Sequence, residues 1–93
     1  MSKLTHQEKP EWFKGEWYTK GDTVTSLQTG EKVELTGPEL SIYDLIIGSR
    51  MYLQSIFDAD DPIALEFDEV IKKGLDWFRK ANPSAYNILF DNI

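Results

Sequence analysis

The sequence predicts one α+β domain: an extended aromatic segment, a β-hairpin, an antiparallel helix pair and a short C-terminal helix. Three observations carry this. β-Branched residues gather in 22–35 around a glycine-bearing turn. Beyond that point apolar residues recur at helical spacing. Pro38, Pro62 and Pro83 each stand within two residues of a side chain able to cap a helix. At 93 residues the chain holds one core. The expected division is an N-terminal arm over 1–10 and a single domain over 11–93.

Residues 1–10 are polar, with Leu4 the only apolar side chain after the initiator, and are expected to be a mobile arm. The segment 11–21, EWFKGEWYTKG, sets Trp12, Phe13, Trp17 and Tyr18 between charges and two glycines, fitting neither helix nor strand periodicity. Aromatics of this size bury most apolar area against their own domain, so the segment is expected to dock there, with Trp17 deeper than Trp12. In 22–35, Thr23, Val24 and Thr25 form one strand, Gln28-Thr29-Gly30-Glu31 the turn, and 32–35 a second strand with Val33 and Leu35 on one face. Leu27 has the opposite parity to Val24, which predicts a bulge or an early strand end.

Thr36-Gly37-Pro38-Glu39 reads as a capping box opening a helix over 38–58. Its apolar side chains fall on two arcs. One holds Ile42, Leu45, Ile46, Leu53, Ile56 and Phe57; the other holds Leu40, Tyr43, Ile47 and Met51. Such a helix wants cover on two sides. Asp61-Pro62 opens a second helix over 62–81 with one clean apolar face and a charged opposite face, where Asp68–Lys72, Glu69–Lys73 and Asp76–Lys80 are spaced for i,i+4 pairing. Gly74 in its middle predicts close approach of another backbone. Asn82-Pro83 opens a third, two-turn helix over 83–90.

Ten Lys and Arg against sixteen Asp and Glu leave a net charge of −6, which argues against coating nucleic acid or anionic lipid. Trp12, Phe13, Trp17 and Tyr18 do interleave with Lys9, Lys14 and Lys20 as base-stacking platforms would, but Glu8, Glu11 and Glu16 cancel that charge. No apolar run is long enough for a membrane span, and no cysteine is present for a disulfide or thiolate chemistry, which fits a cytoplasmic setting. His6 is the single histidine, and a zinc site takes several such ligands. Asp58-Ala59-Asp60-Asp61 looks like part of a calcium loop, but such a loop needs glycine at about its sixth place, here Ile63. Asp44 is the one acid in the interior of the first helix; cover there would suit it to acid/base work, but it is expected to border the solvent stripe or accept a hydrogen bond. No phosphate-cradling glycine motif occurs. No catalytic residue, metal or cofactor is expected.

The stretches TGEKVELTGPELSIYDLIIG and KGLDWFRKANPSAYNILFD, with GEWYTKGD upstream, are similar to a family of short uncharacterised proteins carried by tailed phages, particularly those infecting marine cyanobacteria. The resemblance covers roughly 15–91 and implies a small accessory protein expressed in a bacterial host. The expected function is a non-enzymatic protein-interaction module that self-associates, first as a dimer, through its central helix and binds a host or phage protein. The candidate interface is Leu40, Tyr43, Ile47, Met51, Trp12 and Phe13. The alternatives are a small enzyme or enzyme subunit with an unrecognised acid site, and a structural virion component.

Overall fold

The computed structural model describes residues 8–55 and 62–90. Two strands, β1 (Asp22–Thr25) and β2 (Lys32–Leu35), are followed by helices α1 (Gly37–Gln54), α2 (Pro62–Ala81) and α3 (Pro83–Leu89), the expected α+β architecture. Positions 1–7 of the expected arm with His6, positions 56–58 of the expected helix with Ile56 and Phe57, and the acidic turn 58–61 with its Asp61 cap lie outside the described residues.

The hairpin is antiparallel, with Val24 opposite Val33 and Asp22 opposite Leu35. β1 stops at Thr25, as the parity break at Leu27 required. The connecting loop is closed by Ser26 N–H donating to Glu31 O at 2.7 Å and Gly30 N–H donating to Ser26 O at 2.9 Å. Gly30 takes φ = 78°, a conformation open to glycine at no steric cost. The buried Ser26 hydroxyl accepts from the N–H groups of Gln28 and Thr29, both at 3.3 Å, which tightens the turn. β2 packs on α1 and α3, the support a two-stranded ribbon needs.

α1 opens with the expected capping box. Thr36 Oγ1 accepts from Glu39 N–H at 3.3 Å, and Glu39 accepts from Thr36 N–H at 3.0 Å. α1 and α2 form the main interface, and α3 closes one end. The core joins Phe13, Leu35, Ile42, Ile46, Phe78, Ala85, Leu89 and Phe90. Phe78 and Phe90 meet edge to face at 5.2 Å between ring centres. Gly74 does mark a close approach, but of a side chain. A Cβ there would lie 2.8 Å from Ile46 Cγ1. The expected backbone neighbour is thus corrected to the Ile42–Ile46 edge of α1, where missing side-chain volume lets the helices close on a full-sized isoleucine.

The aromatic segment is a strap on its own domain. Phe13, at 6 % exposure, is its deepest member, while Trp12 and Trp17 are both half-buried. Trp17 sits edge-on to Phe13 at 5.1 Å and to Trp77 at 6.2 Å. Tyr18 N–H donates to Ser41 Oγ at 2.7 Å. The end of the expected arm is engaged too, with Trp77 Nε1 donating to Glu8 O at 3.1 Å and Phe13 N–H to Pro10 O at 3.1 Å.

Candidate functional site

Helical geometry divides α1 into three parts. Ile42, Ile46 and Ser49 face the core and are buried. Ser41, Asp44 and Leu45 face the strap side, where Ser41 is buried and Tyr18 Oη donates to Asp44 Oδ2 at 3.0 Å. That leaves the arc of Leu40, Tyr43, Ile47 and Met51. Leu40, Tyr43 and Ile47 are half-buried and packed against the core rim. Tyr43 reaches Phe90 at 5.8 Å. Towards the C-terminal end the cover runs out, and Met51 is 65 % exposed.

Beside this arc lies a groove of about 230 Å³, lined by Tyr43, Ile47 and Met51 of α1, by Leu27 and Gln28 of the hairpin loop, and by Leu89 of α3. Arg50 and Gln54 of α1 add polar groups to its lining. Leu27 is 88 % exposed. Its loop carries it beside the groove without filling it. Arg50 is the one charged side chain lining the groove. The ion pairs among the described residues are Lys72–Asp68, Arg79–Asp76 and Lys80–Asp76, so Arg50 has no carboxylate partner there. The expected Glu69–Lys73 pair is likewise not closed.

Three of the six candidate interface residues, Tyr43, Ile47 and Met51, meet in this groove, and Leu40 continues their arc towards the helix start. Phe13 belongs to the core instead. Trp12 lies on a second groove, of about 460 Å³, floored by Leu45, Phe67 and Val70 and edged by Lys14, Lys73, Glu66 and Glu69. Sequence reasoning missed Leu27, Arg50 and Leu89. For Leu27 the signal was there, since a large apolar side chain out of phase with its strand points away from the hairpin's buried face.

The electrostatics are mild. The hydrogen bond to Asp44, and then that residue's charge, holds the Tyr18 hydroxyl above the ordinary tyrosine value. Burial, helped by Asp44, raises Tyr43. Asp76 is held below the usual carboxylate value by its bonds to Lys80 and Arg79. Asp44 is exposed and serves as the acceptor for Tyr18. Among the described residues no group of three or more His, Cys, Asp or Glu side chains could hold a metal ion, and no helix is long and apolar enough to cross a membrane. The chain matches no family model, no curated protein and no solved structure.

Proposed function

We propose that the chain is a small non-enzymatic interaction protein, a phage-encoded accessory factor of the host cytoplasm, that self-associates through α1 and binds a host or phage protein. One observation carries the reading: the groove between α1 and the hairpin loop, with Leu27 at 88 % and Met51 at 65 % exposure on its two walls. Apolar side chains that border one concave surface and stay open to water favour burial by a second molecule. A two-fold arrangement of identical chains buries such a patch twice. A strap folded over this arc would be the alternative cover, but the strap's hydrogen bonds and ring contacts run to Ser41 and Asp44, which border the arc, and to Trp77 of α2. The cytoplasmic and phage setting rests on the absence of cysteine and on the family resemblance.

Light scattering after size exclusion tests the self-association. A dimer is expected at about 100 µM, a concentration at which interfaces of about 10 µM affinity are populated. Ile47→Glu should convert it to a folded monomer. A strict monomer at that concentration defeats the proposal. Affinity capture from host lysate with the wild-type and Ile47→Glu chains then asks whether a further protein uses the same face.

A further inference from the structure

We infer that the groove is filled by the hairpin loop of a second copy, Leu27 seating between Ile47 and Met51 of the partner chain and Glu31 meeting its Arg50. The exchange presupposes the self-association proposed above and names its contacts. Three observations lead to it. The groove has apolar walls and one charge, the Arg50 guanidinium, unpaired among the described residues of a chain with net charge −6. Its best occupant therefore carries a large apolar side chain with a carboxylate close by. The hairpin loop presents that combination. Leu27 stands clear of its own fold at 88 % exposure. Glu31 is exposed, and the bond from Ser26 N–H to Glu31 O at 2.7 Å sets its backbone against the residue that precedes Leu27. Glu31 likewise has no cationic partner among the described ion pairs.

Complementarity of this kind is self-consistent. The loop lines the groove, so both share one face, and a two-fold axis there offers each loop to the other copy's groove and closes the assembly at two chains. The loop also arrives rigid. The Ser26 side chain and the Gly30 turn already fix it, so little loop entropy is lost on docking.

A charge-swap cycle read by sedimentation velocity tests the exchange, with circular dichroism confirming that each chain is folded. Leu27→Ser, Arg50→Glu and Glu31→Arg should each weaken dimerisation by about tenfold or more. The double variant Arg50→Glu with Glu31→Arg should return it to within about threefold of wild type, since each exchanged pair is restored with its sign reversed. If Ile47→Glu separates the chains while Leu27→Ser and the charge variants do not weaken them, the helices meet without loop exchange; the present inference then falls and the self-association stands. Weakening by both single charge variants without rescue in the double also overturns the pairing. A chain that stays monomeric throughout overturns both.

Discussion

Gly74 and Gly48 sit in helices of the same fold with opposite surroundings, so adding a methyl group to each separates packing from propensity. At Gly48 a Cβ would meet nothing within 4 Å. Gly48→Ala should therefore stabilise by about 0.5–1 kcal/mol, the helix-propensity gain alone. At Gly74 the same gain is opposed by overlap with Ile46, which is fully buried and has nowhere to go. Overpacking costs about 1–3 kcal/mol, so Gly74→Ala should lose about 1 kcal/mol net. Thermal melts decide both, and stabilisation at position 74 would mean that Ile46 can move. The Ser49 hydroxyl is buried without a hydrogen-bond partner. Ser49→Ala should accordingly raise stability by about 1 kcal/mol, and a loss would reveal a partner for that oxygen. For Tyr18, folding favours the protonated hydroxyl. The contribution of its bond to Asp44 is intact below the unfolded tyrosine value, about 10, and is lost as pH rises through the higher folded value. Ultraviolet titration of wild type against Tyr18→Phe isolates this group. Asp44→Asn should move its midpoint back towards the ordinary value.

The helix starts were legible because capping is a local matter of spacing, and Thr36-Gly37-Pro38-Glu39 and Asn82-Pro83 adopt their expected roles. What no local pattern could reveal is that the two caps are joined. Glu39 is 4 % exposed, and its carboxylate also accepts from Asn82 Nδ2 at 3.2 Å, while Asn82 Oδ1 accepts from Ala85 N–H at 3.1 Å. One asparagine thus caps α3 and ties it to the start of α1. Asn82→Ala should cost about 2 kcal/mol, at the upper end for an N-cap, because the buried Glu39 loses a donor as well. A loss below about 0.5 kcal/mol in chemical denaturation would mean that the link is idle. The strap was equally resistant to periodicity, since its register follows no repeat. Its aromatic content still announced docking, but Phe13 rather than either tryptophan holds the deepest place. Phe13→Ala should therefore cost about 3–5 kcal/mol, and Trp12→Ala clearly less.

Across the whole molecule, the Cα extents of 42 × 32 × 19 Å describe a flat body about two helix diameters thick. In so thin a slab a helix apolar around most of its circumference cannot be enclosed on every side, and the C-terminal half of α1 is where enclosure fails. Two nearly opposite apolar arcs, a parity break at Leu27, a capping box and a clean amphipathic α2 are one-dimensional patterns, fixed by the periods of helix and strand. They determined the class of fold, the order of its elements and the need of α1 for cover on two sides. The tertiary structure alone decided the rest: that the strap lies against Ser41 and Asp44, that Phe13 is core, that Gly74 receives Ile46, and that Arg50 and Leu27 line one groove. The physical reason is range. Periodicity reports which face of an element avoids water, but which neighbour covers that face depends on volumes and hydrogen bonds between residues such as Tyr18 and Ser41, or Glu39 and Asn82, that are distant in the chain and share no repeat.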